Sequence, residues 1–231
     1  MQPAEIKRTA RQAGLLYLAL SVLAMIGYFY LRPRFVISGD AAATARNILA
    51  NESLYRVAIL IDVAAQLLFI LVVVALYRLF RNVDRTQARV MVGLVATGIA
   101  AQFATFVFNT APLVFLSGAD HLSAFSRPQL ETLAYTSLSL AGKEGQLLTS
   151  IWGLWLFPFA ILTLKSGFFP KFLAVLLFLS GAAYVVSFVI GLVAPAFVDT
   201  VYRIALPLFF GEFIVVLWLA FMGAKPRTAV A

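Results

Sequence analysis

The chain contains no cysteine and one histidine in 231 residues. Without cysteine it cannot form disulfides, iron–sulfur clusters or thiolate zinc sites. A single histidine, His121, cannot supply a bis-histidine haem or a three-histidine metal centre. We therefore predict no metal ion and no cofactor.

Charge is also scarce, because only 12% of the residues are charged while 62% are hydrophobic. A soluble domain of this size needs more polar residues to cover its surface. A helix needs about 20 apolar residues to cross a hydrocarbon core roughly 30 Å thick. Six stretches approach this length, at residues 14–31, 54–79, 90–116, 145–164, 172–194 and 201–223. We predict an all-α, six-helix transmembrane bundle that forms a single domain over residues 1–231.

The formal net charge of +8 comes from basic residues that lie at the ends of these stretches. Because the basic residues lie at span ends, the positive-inside rule explains the net charge better than a nucleic-acid partner does. Arg78, Arg81, Arg85 and Arg89 crowd the second loop, and Lys165 and Lys171 bracket the fourth. We predict that both termini and these two loops are cytoplasmic.

The two long loops on the opposite side contain helix-start signals. Asp40 precedes the run Ala41 to Ala50, and Ser126 with Gln129 has the spacing of a capping box. We predict short interfacial helices in both loops.

Small residues and prolines within the spans predict local packing. Gly93, Thr97 and Ala101 form a small-residue ridge of the kind that packs helices together. Pro158 and two other prolines, Pro112 and Pro207, each free a carbonyl one turn earlier and predict kinks.

Acidic residues inside spans are rare in membrane proteins and usually face the bundle interior at functional sites. Asp62 and Gln66 lie one helical turn apart, and Glu212 lies near the centre of the last span. We predict a polar pocket, open to the extracytoplasmic side, that binds a small ligand, an ion or a lipid headgroup. The candidate ligand-binding residues are Asp62, Gln66, Gln102, Asn109, Lys143, Glu144, Arg203 and Glu212.

Structural roles for these residues are compatible with the same pattern. Gln and Asn side chains often join membrane helices by hydrogen bonds, and Asp62 can form a structural ion pair with Arg56 or Arg203. Three functions are compatible with this sequence. The first, which we favour, is a binding or transport protein. The second is an intramembrane enzyme acting on lipid, with Asp62 or Glu212 as acid or base, and the third is an accessory or sensor protein. No nucleophile–base pair is evident, so we assign no catalytic residue. The bilayer is the expected partner, and the oligomeric state is not indicated.

Several stretches resemble the bacterial membrane family described as domain of unknown function 4386. They include residues 8–17, 39–45, 47–56, 116–120 and 165–171. The resemblance implies a six-span protein of the bacterial inner membrane with no assigned activity. Members often have histidines around the fourth span, where this chain has Trp155, so histidine chemistry is not expected here.

Overall fold

The structure, a computed structural model, describes residues 2–225 apart from the side chain of Glu144. Within that range the chain is helical and has no strand, which confirms the predicted all-α fold. The α-helices in chain order are α1 (Pro3–Met25), α2 (Arg32–Phe35), α3 (Ala41–Ala50), α4 (Glu52–Phe80), α5 (Arg85–Phe115), α6 (Arg127–Leu154), α7 (Leu156–Ser166), α8 (Lys171–Val193) and α9 (Val198–Leu217). Two π-helical turns, Ile26–Leu31 and Trp218–Met222, extend α1 and α9.

Six helical segments are long and apolar enough to cross a membrane, so the chain is a multi-pass membrane protein. They cover Pro3–Phe35, Glu52–Phe80, Arg85–Phe115, Arg127–Ser166, Lys171–Val193 and Pro195–Met222. Each lies where a span was predicted. Most are longer than predicted, because the helices continue past the apolar stretch into charged and polar turns.

The two predicted interfacial helices differ from each other. Asp40 caps α3 as expected, and its side chain accepts a hydrogen bond from the Ala43 N–H at 2.8 Å. One of the two bonds of the predicted Ser126–Gln129 capping box also forms, since the Ser126 N–H donates to Gln129 Oε1 at 2.8 Å, and the Ser126 hydroxyl donates to the same oxygen at 3.0 Å. This second helix is not separate, however: it runs on as α6 to Leu154, because no proline interrupts it after Pro128.

Pro158 interrupts the fourth span, as its lack of an N–H predicts. The carbonyl of Leu154 cannot accept the usual bond from residue 158, and the helix breaks for one residue at Trp155 between α6 and α7. Pro112 and Pro207 lie inside α5 and α9, which continue through them.

The helices contribute to two compact units. The first comprises residues 1–20, 67–99 and 146–231, and the second comprises residues 21–66 and 100–145. The first unit buries Phe80, Trp155 and Phe159 almost completely. In the second unit, Phe35, Ile48, Tyr55 and other apolar side chains form a core in which α2 and α3 pack with the neighbouring helix ends.

The predicted ridge of Gly93, Thr97 and Ala101 does not pack α5 against its own chain. Gly93 and Thr97 are exposed, and a Cβ atom built at Gly93 would meet nothing within 4 Å. The close approach uses Gly98 instead, where a Cβ would lie 2.7 Å from the ring of Trp152. The ridge prediction was wrong for Gly93 and Thr97, which lie on a different face of α5 from Gly98 and its contact with Trp152.

Candidate functional site

The predicted site residues divide between the two units. Arg203 and Glu212 belong to the first unit. The second unit contains the other six, namely Asp62, Gln66, Gln102, Asn109, Lys143 and Glu144. The common pocket predicted for all eight stays a prediction, and each group has its own surroundings.

Glu212 lies in α9 and accepts hydrogen bonds from two tyrosines on two other helices. Tyr17 of α1 donates to Glu212 Oε1, and Tyr184 of α8 donates to the same carboxyl group. The Tyr17 side chain is buried and Glu212 is partly buried. A carboxyl group inside a membrane protein needs donors that replace lost water, and these hydroxyls supply them.

A close helix crossing brings Glu212 beside Tyr184. Gly211 precedes Glu212, and a Cβ there would lie 2.7 Å from Ser180 Oγ on α8. Ser180 Oγ in turn donates to the Leu208 carbonyl at 2.7 Å. Tyr184 follows Ser180 by four residues on the same face of α8, so the crossing presents its hydroxyl to the acid.

The other donor, Tyr17, is held by aromatic rings. Its ring centroid lies 6.2 Å from that of Phe69 and 6.0 Å from that of Trp155. Phe69 and Trp155 meet edge to face at 5.3 Å. Such packing fixes both side-chain torsion angles of Tyr17, so its hydroxyl stays close to Glu212.

A row of three aromatic rings, those of Tyr184, Phe209 and Tyr202, leads from Glu212 to an open depression near the start of α9. Tyr184 stacks on Phe209 with centroids 4.5 Å apart, and Phe209 meets Tyr202 edge to face at 5.4 Å. Tyr202 and Arg203 line the depression, which has a volume of about 460 Å³. Its remaining lining residues are Val198, Asp199 and Leu206. Arg203 and Glu212 do not form an ion pair, since the ion pairs among the described residues involve neither of them.

In the second unit, Asp62 of α4 faces the π-helical turn of the first span. A Cβ built at Gly27, within that turn, would lie only 2.8 Å from Asp62 Oδ1. The guanidinium of Arg32 lies close enough for its charge to act on Asp62. The Asp62 carboxylate thus approaches the backbone of the wider π-helical turn. A side chain at position 27 would block this approach, and glycine has none.

The predicted pairing of Asp62 with Arg56 does not form. Arg56 binds Glu52 instead, one turn back on the same helix, with its guanidinium 2.7 Å from the carboxylate. The i, i+4 spacing favours this exposed pair, whereas Arg56 and Asp62 are six residues apart and face different directions.

The remaining predicted residues of the second unit have diverse surroundings. Asn109 takes part through its backbone, since its carbonyl accepts a bond from the Tyr55 hydroxyl at 2.6 Å. Gln66 Oε1 is buried, and no donor reaches it within the part of the chain that the structure describes. Gln102 is partly buried on α5, and Lys143 is exposed on α6. The side chain of Glu144 lies outside the described part of the chain.

Tyr17 and the partners of Asp62 were not predicted from the sequence as parts of the site. Tyr17 is the fourth residue of the predicted first span, a depth at which interfacial tyrosines are common, so its position did not distinguish it. Arg32 resembled an ordinary span-end cation, so nothing in the sequence distinguished it. In residues 2–225 no three His, Cys, Asp or Glu side chains gather as a metal site requires.

Comparison with known proteins assigns a family without an activity. The family model described as "Domain of unknown function (DUF4386)" matches residues 12–223. The chain therefore belongs to this family. No curated protein and no solved structure matches it.

Proposed function

We propose that this protein binds a small ligand, an ion or a lipid headgroup at Glu212, as a binding or transport protein rather than an enzyme. The observation that supports the proposal is the convergence of Tyr17, Tyr184 and Glu212 from three different helices. Acids that persist inside membrane bundles usually serve ligand, ion or proton pathways.

The surroundings of Glu212 favour a ligand with a cationic group. Glu212 provides opposite charge when it is ionised, and the outer side of a stacked ring pair attracts cations through the ring quadrupole. The depression lined by Tyr202 and Arg203 offers the accessible end of this row of rings. A ligand that binds Glu212 must displace or share the tyrosine hydroxyls, which links its binding to the contacts between helices.

Asp62 and Gln66 form a second candidate binding group within the second unit. The buried Gln66 Oε1 meets no donor among the described residues, and a buried acceptor without a donor costs about 1–3 kcal/mol. A ligand donor, or an ordered water, would remove this cost. Gln102, Asn109, Lys143 and Glu144 are proposed to contribute from the same unit.

We also propose that the protein lies in the bacterial inner membrane with both termini in the cytoplasm. Two groups of basic residues support this orientation through the positive-inside rule: Arg78, Arg81, Arg85 and Arg89 where α4 ends and α5 begins, and Lys165 with Lys171 where α7 ends and α8 begins. The bilayer is its proposed partner, with no role for nucleic acid.

Native mass spectrometry of the purified protein, with and without Glu212→Gln, tests the binding proposal. We expect wild type to retain a small molecule, and we expect Glu212→Gln to lose it while keeping its fold. A panel of organic cations should raise the melting temperature of wild type more than that of the variant. Glu5→Gln provides the control, because it removes an acid from the exposed first turn of α1.

Two results would contradict the proposal. One is equal retention of the molecule by wild type and Glu212→Gln. The other is a wild-type protein that retains nothing and whose melting temperature no member of the panel changes. In either case the Glu212 contacts serve the packing of helices alone.

A further inference from the structure

A groove lies between the first two spans, on the exposed surface of the first unit. It is lined by Gln12, Leu15, Leu16 and Ala19 of α1 and by Leu71, Val74, Ala75 and Arg78 of α4. Its volume is about 540 Å³. None of these residues takes part in the contacts of Glu212 or Asp62 described above.

The sequence explains why the groove is continuous. Its residues lie at i, i+3, i+4 and i+7 on each helix, which is one face over two turns, or about 10 Å along the axis. Ala19 and Ala75 leave room between the helices where larger side chains would fill it. The neighbouring face of α4 is buried at Val72 and Leu76, so the groove has a firm floor.

The groove is apolar along most of its length and polar at one end. α1 and α4 are successive spans and run in opposite directions, so Gln12 near the start of α1 and Arg78 in the last turn of α4 share one end. Leu15, Leu71 and Val74 form the apolar part and are 55%, 51% and 42% exposed.

The charge at the polar end has no acidic partner within the described part of the chain. None of the ion pairs in residues 2–225 includes Arg78. The nearest acid in the following loop, Asp84, binds Lys165 at 2.7 Å instead. The guanidinium of Arg11, next to Gln12, already has a partner, since it donates a hydrogen bond to the Phe221 carbonyl at 3.0 Å. Arg78 therefore offers its guanidinium at the level where a span ends.

We propose that this groove binds one anionic phospholipid of the surrounding membrane. The guanidinium of Arg78 binds the phosphate through paired hydrogen bonds, and the Gln12 amide donates to a phosphate or ester oxygen. One acyl chain lies along Leu15, Ala19 and Val74. An isolated arginine at a span end attracts anionic headgroups weakly and without fixed geometry. The groove beside Arg78 adds a defined site for the chain.

The test measures lipid retention by native mass spectrometry after reconstitution in vesicles of equal parts phosphatidylglycerol and phosphatidylcholine. We expect wild type to retain one phosphatidylglycerol in preference to phosphatidylcholine. Arg78→Gln should lower this preference about tenfold, the effect of losing a charge-assisted pair of hydrogen bonds. Arg89→Gln is the matched control, because Arg89 is an exposed arginine on α5 outside the groove.

A second variant tests the groove separately from the charge. Ala19→Trp should block the acyl chain and lower phosphatidylglycerol retention, whereas Ala182→Trp, at an exposed alanine of α8, should not. Equal retention of the two lipids by wild type would overturn the proposal without depending on any variant. Loss with Arg78→Gln but not with Ala19→Trp would also overturn it, since the lipid would then be held by charge alone.

Discussion

At the scale of single residues, the contacts of Glu212 are the most unusual feature of the molecule. Two tyrosine hydroxyls on different helices donate to one carboxyl group inside a membrane bundle. Each hydroxyl satisfies a lone pair that would otherwise lack water. The stability of the first unit and its proposed binding of ligand therefore depend on the same three side chains.

Replacing Tyr17 with Phe should lower the free energy of unfolding by about 1 kcal/mol, as expected for an interhelical hydrogen bond in a membrane. The ring contacts with Phe69 and Trp155 would remain, so the loss reports the hydroxyl. Equilibrium unfolding in mixed detergent micelles measures it. Tyr28→Phe, at an exposed ring, should change nothing. Equal stability of Tyr17→Phe and wild type would show that Glu212 does not need this donor.

At the scale of helices, close packing depends on glycines that face backbone atoms. Gly14 of α1 meets the end of the last span, where an added Cβ would overlap the backbone nitrogen of Ala220. Gly153 and Gly181 bring α6 and α8 together in the same way, since a Cβ at Gly153 would lie 2.8 Å from the Gly181 carbonyl oxygen. A rigid backbone cannot move aside for a methyl group as a flexible side chain can.

Gly14→Ala should therefore lower the free energy of unfolding by about 2 kcal/mol or more through overpacking. Gly93→Ala is the matched variant, because its new methyl group meets nothing within 4 Å. We expect it to leave stability unchanged or raise it by up to about 1 kcal/mol, since alanine favours the helix over glycine. Unfolding midpoints in detergent compare the two, and a similar loss in both variants would contradict the packing described for α1.

An ion pair joins the loop before α5 to the end of α7. Asp84 caps α5 by accepting the Gln87 N–H at 3.0 Å, and it also binds the Lys165 ammonium at 2.7 Å. The hydrogen bond from Gln87 and the charge of Lys165 lower the pKa of Asp84 below its ordinary value of 3.8. The folded protein thus binds a proton at Asp84 less readily than the unfolded chain does.

Because of this difference, the contribution of Asp84 to the free energy of unfolding depends on pH. Its contribution to stability is fully present above the ordinary pKa, and it is lost as the pH falls through the lower value of the folded state. Wild type should therefore melt at a higher temperature than Asp84→Asn at pH 6, and the gap should shrink below about pH 4. Melting curves across this range measure it. Asp40→Asn, at the N-cap of α3, is the control, because it removes the charge of a capping side chain that belongs to none of the ion pairs in residues 2–225. A gap that stays constant with pH would contradict the effect.

At the scale of the whole molecule, the proposed orientation can be tested directly because the chain has no cysteine. Single cysteines placed at Asn82 and Ser126, both exposed, lie in loops proposed to face opposite sides of the membrane. A membrane-impermeant maleimide applied to intact spheroplasts should label Ser126→Cys but not Asn82→Cys. Permeabilised cells should label both. The reverse pattern would invert the proposed orientation.

Much of the fold could be predicted because it depends on local properties of the chain. Asp40 and Ser126 indicated helix starts that the structure contains, and Pro158 indicated the interruption before α7. The length of α6 was not foreseen, since a separate short interfacial helix was predicted before the fourth span and the polar residues between Arg127 and Gly145 were not expected to join the two. Helix propensity continued through them because nothing in that segment breaks a helix.

The candidate site was only partly predictable. Depth within a span identified Asp62 and Glu212 as unusual, because charge in hydrocarbon is costly wherever the helices point. Their partners could not be found in this way. Tyr17 lies 195 residues from Glu212 in the chain, and no local spacing relates positions on different helices.

Hydrophobic length and charge are properties of each segment alone, so they were sufficient to predict a six-span membrane protein with acids inside its spans. The groups that those acids meet emerge only in the folded chain: two tyrosines for Glu212, and for Asp62 a π-helical turn and an arginine. The same holds for the glycines, since Gly14 and Gly98, and not the ridge at Gly93, allow helices to approach. Such contacts depend on the rotation and crossing of helices, which follow from the packing of the assembled side chains and not from any one segment.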